Sequence, residues 1–204
     1  PMQRDFEGAF KVNRLTLVST IGVIEREERN HWDSRRIYAL FQANDYVTVR
    51  AGRFVPIYGI MIPDHNVATR KGLGFDQGSE RNAAEVTFIK DAWSGSLTYS
   101  QSPKSLTDTL EEKGVSAQLN YVFAETYKVG LNYWNGKFNE GDRQRQIYGV
   151  HGVLGFTPEW YLLSEVDYQK SKSTLGGSQE GIFYYTKLGW EFTRGLHAIL
   201  QVEG

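Results

Sequence analysis

The amino-acid sequence predicts an all-β fold, an antiparallel up-and-down transmembrane β-barrel of about twelve strands. Three observations predict it. Apolar and polar residues alternate with a period of two over long stretches, and helical periodicity is nearly missing. The connections between the alternating runs are short and long by turns. The composition joins 12 Tyr, 11 Phe, 5 Trp and 21 Gly with only 5 Pro at a polar mean hydropathy of −0.46, as expected when half of each strand faces a wet interior.

The first hairpin is read as Phe6 to Val12 and Leu15 to Ile24 around Asn13-Arg14, and the second as Ile37 to Ala43 and Tyr46 to Phe54 around Asn44-Asp45. Ala84 to Phe88 turns at Asp91-Ala92 into Trp93 to Tyr99. The clearest alternation, Val115 to Phe123, passes through Ala124-Glu125 into Tyr127, Val129, Leu131 and Tyr133. Tyr148 to Phe156 turns at Thr157-Pro158-Glu159 into Trp160 to Tyr168, and Ile182 to Phe192 turns at Thr193-Arg194-Gly195 into Leu196 to Val202. Between these hairpins lie polar connections expected at 25–34, 55–81, 102–113, 138–145 and 172–180. Strict alternation puts every tight turn at one end of the sheet and every long loop at the other, the asymmetry of outer-membrane barrels.

A water-soluble barrel that binds a ligand would alternate too, with its apolar face inside. Two features favour the membrane. Aromatics crowd the tight-turn end (Phe88, Trp93, Phe123, Tyr127, Phe156, Trp160, Trp190, Phe192) and recur at Tyr99, Tyr133, Tyr168 and Tyr184. Trp160 and Tyr168 are separated by roughly 26 Å of strand, or roughly 20 Å along the membrane normal at the usual tilt. The opposite face carries Gln118, Asn120, Lys128, Asn132, His151, Glu165, Asp167, Gln169, Lys187, Glu191, Gln201 and Glu203. Mid-strand charges cost a few kcal/mol on a lipid face and little in a wet lumen.

Function classes fall away in order. A formal net charge of −1 gives no basic face, so nucleic acid is not an expected partner. Without cysteine there are no disulfides, zinc-thiolate or iron–sulfur sites and no Cys nucleophile. Histidines 31, 65 and 151 fall in different segments with no His-x-x-His or His-Glu-x-x-His spacing, so Asp64-His65 does not read as a metal site. Ser94, Ser96, Ser100, Ser116 and Ser164 occur on strands outside any Gly-x-Ser-x-Gly, and no catalytic residue is expected. Gly72-Leu73-Gly74 lacks the Gly-Lys-Ser/Thr of a phosphate cradle and reads as a turning loop. The expectation is a protein that is not an enzyme and takes no cofactor or metal.

The run Val49-Arg50-Ala51-Gly52-Arg53-Phe54-Val55-Pro56-Ile57-Tyr58-Gly59, followed by Ile62-Pro63-Asp64-His65 and Gly72-Leu73-Gly74-Phe75, resembles the GRF-x-P-x-x-G segment of bacterial porin-like barrels, the phosphate-selective O/P type among them. The resemblance covers about a fifth of the chain. It implies that a strand ends there and that a long loop follows, able to fold into the pore. Residues 1–204 are therefore expected to form one barrel domain, incomplete because the first residues carry no signal segment and the last strand stops in mid-alternation; a free edge in lipid would leave backbone groups unpaired.

The longest connection, 55–81, is expected to fold into the lumen, because Ile57, Tyr58, Ile60, Met61, Ile62, Leu73 and Phe75 would be poorly placed in water. Arg50 projects inward by alternation and is expected to meet loop carboxylates Asp64 or Asp76, with Arg70, Lys71 and Arg81 opposite Glu85 in a mixed-charge constriction. Glu165, Asp167 and Lys187 complete the expected pore lining. Glu25-Arg26-Glu27-Glu28-Arg29 and Glu111-Glu112-Lys113 read as solvated loop ends. The expected role is passive or weakly selective passage of small polar solutes or ions through the outer membrane of a Gram-negative bacterium, with lipid around the wall and a homo-oligomer or partner protein possible in contact with it. The alternative is a non-transport barrel that anchors or scaffolds a partner protein.

Overall fold

A computed structural model describes residues 4–26, 29–62, 67–76, 78–102, 111–139, 142–173 and 176–204, and for 4, 5, 23–26 and 29–35 it describes the backbone alone. Twelve antiparallel strands form one sheet in sequence order: β1 (Arg4–Val12), β2 (Leu15–Arg26), β3 (Arg29–Gln42), β4 (Val47–Phe54), β5 (Arg81–Lys90), β6 (Trp93–Gln101), β7 (Glu112–Phe123), β8 (Tyr127–Phe138), β9 (Gln144–Gly155), β10 (Trp160–Ser173), β11 (Gly177–Thr193) and β12 (Leu196–Glu203). Among the described residues β1 pairs with β2 alone and β12 with β11 alone, so these are the sheet's two edges.

Three of the long connections expected from the sequence are shorter than expected. The ladder continues through Glu25↔Asn30 and Arg26↔Arg29, β9 begins at Gln144, and Lys172↔Ser178 and Ser173↔Gly177 extend the β10–β11 pair. The reason is physical. Above the membrane both faces of a strand are wet, so polar residues there need not alternate, while the backbone ladder continues unchanged. The side chains of Glu25, Arg26 and Arg29 and all of Glu27 and Glu28 lie outside the described side chains, as does all of the 103–110 stretch.

The two faces divide as the period of two requires. Val115, Leu119, Tyr121, Val129, Leu131, Val150, Val166, Leu196 and Leu200 stand exposed on the outer surface, whereas Gln118, Asn120, Asn132, Glu165 and Asp167 are buried inside. An outer surface this apolar fits lipid rather than water. The tight-turn end carries a chain of ring contacts: Trp93 to Tyr121 at 4.7 Å, Phe123 to Tyr127 at 5.3 Å, Tyr127 to Phe156 at 6.2 Å and Trp160 to Trp190 at 4.9 Å. The second belt appears where Tyr133, Tyr148 and Tyr168 lie side by side on β8, β9 and β10. Aromatic rings at two levels of the wall match the girdles that border the hydrocarbon zone.

The interior has a small core of its own. Tyr58, Leu73 and Phe75 from the β4–β5 loop pack with Trp134 of β8 and Ile147 of β9, with Phe183 of β11 alongside. The Tyr58 and Phe75 rings stack at 4.2 Å, and Phe75 meets Trp134 edge-on at 5.4 Å. The loop includes a short π-helical turn, Ala68–Gly72, which packs on β10 and β11.

Candidate functional site: the loop latched to the inner wall

The loop between β4 and β5 enters the barrel because its apolar residues find Trp134 and Ile147 there, and its backbone polar groups then need partners away from bulk water. Two wall carboxylates, Glu85 and Glu165, accept from its backbone, and two more, Asp167 and Glu112, hold side chains in and around it. Glu85 of β5 accepts hydrogen bonds from the Ile57 N–H at 3.2 Å, from Thr98 Oγ1 at 2.8 Å and from Arg50 Nη2 at 2.5 Å. Glu165 of β10 accepts from the Ile60 N–H at 3.0 Å and from Arg70 Nη2 at 2.5 Å. Asp167, two residues on and on the same face, accepts from the Tyr58 hydroxyl at 2.8 Å. Glu112 of β7 holds Arg81 at 3.0 Å, Arg145 at 2.7 Å and the Trp134 indole N–H at 3.0 Å.

Wall side chains reach back to the loop's carbonyls. Arg145 Nη1 donates to the Leu73 oxygen at 3.0 Å and Gln118 Nε2 to the Gly59 oxygen at 3.1 Å, while Arg70 Nη1 donates to the Tyr58 oxygen at 2.5 Å within the loop. Gly59 has φ +60°, and a Cβ there would collide with Glu165 Oε1 and Arg70, so only glycine lets the chain pass this close to the wall. Burial, followed by the charge of Asp167, pushes the Tyr58 hydroxyl well above its ordinary pKa, so it stays a donor. Charged groups in this setting are tolerable because Glu85, Glu112 and Glu165 each meet a guanidinium and Asp167 takes a hydroxyl hydrogen bond.

The sequence expected these charges in other pairs. Arg50 meets Glu85, its register neighbour on β5, rather than Asp64 or Asp76, and its guanidinium sits 3.8 Å from the Phe54 ring centre. Arg70 pairs with Glu165 and Arg81 with Glu112, so neither faces Glu85. Asp76 is half-buried and accepts from Ser79 within the loop. Lys71 is exposed on the π-helical turn, and Lys187 is half-buried on the inner face opposite Leu163 and Gln201. Asp64 lies outside the described residues.

Glu112 and Arg145 were missed, and Glu112 was expected to be a solvated loop end; it is 2% exposed. Their signal was parity. Glu112 is in phase with Ser116 and Gln118, and Arg145 with His151, all of them inner-face positions. The same test marks Trp134, in phase with Asn132, as an inward tryptophan in need of a partner.

Away from the loop's main contacts lie the sheet's two edges. Glu7 and Lys11 of β1 and His197, Gln201 and Glu203 of β12 are exposed, with Lys187 beside them. The loop touches this side where the Ala68 N–H donates to Glu203 Oε2 at 3.3 Å and Arg36 lies 3.8 Å from Glu80.

The architecture matches solved outer-membrane proteins over nearly the whole chain. The trimer form of OmpT, an outer membrane protein of Vibrio cholerae, superposes with a TM-score of 0.61 at 10% identity, over 99% of this chain and 79% of that one. DcaP, an outer membrane channel of Acinetobacter baumannii, gives 0.60 at 10% identity over 99% and 66%. OmpF of Salmonella typhi, solved with daunomycin, gives 0.57 at 13% identity over 98% and 81%. No family model and no curated protein matches the sequence. The likeness is one of fold. Together with the apolar outer belt it shows the fold of an outer-membrane β-barrel, an antiparallel up-and-down wall with an infolded loop.

Proposed function

We propose that the chain forms an outer-membrane pore for passive or weakly selective diffusion of small polar solutes or ions, and that it does so without enzymatic chemistry. The observation that carries this reading is the one-sided placement of the loop. It packs against β7 to β11, while the inner-face groups Lys11 of β1, Gln201 of β12 and Lys187 of β11 lie away from that contact and are read as the lining of a path. The charges expected to form the constriction are mostly consumed in holding the loop: Arg70, Arg81, Glu85, Glu165 and Asp167 are buried. Lys71 on the loop and Lys187, Gln201 and Glu203 on the wall are the groups a solute would meet, a mixed lining that supports weak selectivity.

DcaP, which shares this fold, is an outer membrane channel. The trimer form of OmpT supports testing for self-association here. A second reading, a non-transport barrel that anchors or scaffolds a partner, draws support from the apolar core that Tyr58, Leu73, Phe75, Trp134 and Ile147 form on the inner side of the wall. Single-channel conductance in planar bilayers separates the two. Deleting Ile57 to Gly74 raises conductance if the loop narrows a working pore; a wild-type barrel that passes no current at all, and conducts only after the deletion, supports the anchor.

A further inference from the structure

Toward the tight turns the inner wall changes character. One side-chain row below the level at which Glu165 takes the Ile60 N–H, a register row runs Val122, Lys128, Val153, Leu163, Lys187 and Gln201 across β7 to β12. Parity puts these side chains inside: Lys128 is in phase with Asn132, Val153 with His151, Leu163 with Glu165 and Lys187 with Tyr185, all of them buried on the inner face. Apolar side chains are out of place on the polar interior of such a barrel. Lys128, Val153, Leu163 and Lys187 are nevertheless all half-buried, so none of the four is sealed away by the loop.

The two lysines keep their charge available. Neither takes part in an ion pair among the described residues. Neighbouring carboxylates on β10, β11 and β12 are engaged: Glu165 with Arg70, Glu191 with the Gly195 N–H and Glu203 with the Ala68 N–H. Beside Lys187 the wall is apolar. Leu163 is its register partner and Val153 follows one strand further. Two residues toward the turns the Tyr161 ring lies across Gly189, where a Cβ would collide with it. At the usual strand spacing Leu163 stands roughly 5 Å from Lys187 along the wall and Val153 roughly 10 Å. One ammonium and an apolar strip are thus within reach of a single small molecule.

We infer that Lys187, Leu163, Val153 and Tyr161 form a seat for an organic anion with an apolar body, a carboxylate on a short hydrocarbon chain, and that this is the solute class the barrel favours over small inorganic ions. For its transport role the inference rests on the pore reading. The Lys187 ammonium, with the Gln201 amide as its register neighbour, holds the anionic group. The hydrocarbon then covers Leu163 and Val153, which removes apolar surface of both solute and wall from water. A chloride ion gains only the first of these contacts. Lys128 with Val153 as its register partner repeats the pairing of ammonium and apolar side chain at the other end of the strip.

Hexanoate and acetate test this, since they share a carboxylate and differ in hydrocarbon. Each is titrated at neutral pH into the full chain refolded in detergent, with a detergent blank, and binding is followed by saturation-transfer NMR. Hexanoate is expected to bind roughly tenfold tighter than acetate. Lys187→Gln should weaken hexanoate by roughly tenfold. Leu163→Thr, which keeps both lysines, should narrow the preference over acetate to roughly threefold or less. Should Leu163→Thr not assemble, Val153→Thr is read in the same way. Equal affinity of the wild type for the two anions, or hexanoate affinity unchanged in folded Lys187→Gln, overturns the inference. Planar-bilayer conductance of the same preparation separates it from the pore reading. Current without hexanoate binding removes the seat and leaves the pore; hexanoate binding without current supports the seat and removes the pore.

Discussion

The inner wall has a covered side and an open side built from the same alternating pattern, and charges do different work on each. Under the loop, Glu85, Glu112, Glu165 and Asp167 are buried and each is tied to a named donor. On the open side, Glu7, Lys11, Gln201 and Glu203 are exposed. A lumen-facing carboxylate is therefore a buried clamp where the loop lies over it, and an exposed group at the sheet's edges, where Glu203 still takes the Ala68 N–H and Glu7 the Thr20 hydroxyl. Position on a strand decides only that a charge faces inward; the loop decides what it does there.

The comparison is broken most severely at Glu112. Glu112→Ala leaves the guanidinium groups of Arg81 and Arg145 buried without their counterion and strands the Trp134 N–H. Loss of one partner from such a buried network costs about 3–5 kcal/mol. Lys11→Ala on the open side, an exposed position, should cost within about 0.5 kcal/mol, the usual range for such sites. Urea unfolding of both variants from lipid vesicles checks the contrast, and equal losses would erase the distinction between the two sides.

Tyr58 sharpens it next. Tyr58→Phe removes the donor to Asp167 and leaves that carboxylate short of a partner, at a cost of about 1–3 kcal/mol. The loss carries a pH signature. Because burial and the Asp167 charge raise the Tyr58 pKa in the folded loop, the folded state keeps that proton after the unfolded chain has begun to lose it. The contribution is full below pH 10, the ordinary tyrosine value, and declines as the pH rises above it. Tyr58→Phe should be less stable at neutral pH and should lose less stability between neutral and strongly alkaline solution than the wild type, by the same unfolding assay.

On the open side the expected effect is on current and hardly on stability. Lys187→Glu reverses a half-buried charge beside Gln201 without touching a loop clamp. The zero-current potential across a salt gradient should shift toward cation preference. An unchanged potential would mean that solutes do not pass Lys187.

Much of this was legible in advance, and the boundary of legibility has a physical cause. A period of two between lipid and lumen is strong enough to place Leu131 outside and Asn132 inside from sequence alone, and the twelve strands with their tight turns followed from it. The inward course of the loop was legible from Tyr58, Leu73 and Phe75, which needed an apolar partner. Which charges pair was not. Arg50 finds Glu85 through register, and register across β4 and β5 depends on where the loop lets the second strand begin. Glu112 sat in a charge run that looked solvated, and only the phase of Ser116 and Gln118 placed it inside.

The smallest expected effect concerns the tight turns, where the β7–β8 connection differs from its neighbours. Asn13 and Asp91 carry the positive φ of their hairpins, at 52° each, and short polar side chains tolerate that conformation. The β7–β8 turn places Ala124 at φ 47° and Glu125 at φ 61°, two consecutive left-handed residues with neither glycine nor asparagine. Such a pair fits the strand twist but suits Asn-Gly far better. Glu125→Gly removes a left-handed penalty of roughly 1–2 kcal/mol and adds roughly 0.5–1 kcal/mol of unfolded-state entropy, for a net gain of about 0.5 kcal/mol. Glu125→Val puts a β-branched side chain in the same conformation and should lose about 1 kcal/mol or more. Glu125 is exposed, and no described side chain depends on it, so opposite signs in the two variants isolate backbone strain from contact loss. If both variants destabilise, the cost lies in the turn's contacts and not in its dihedral angles.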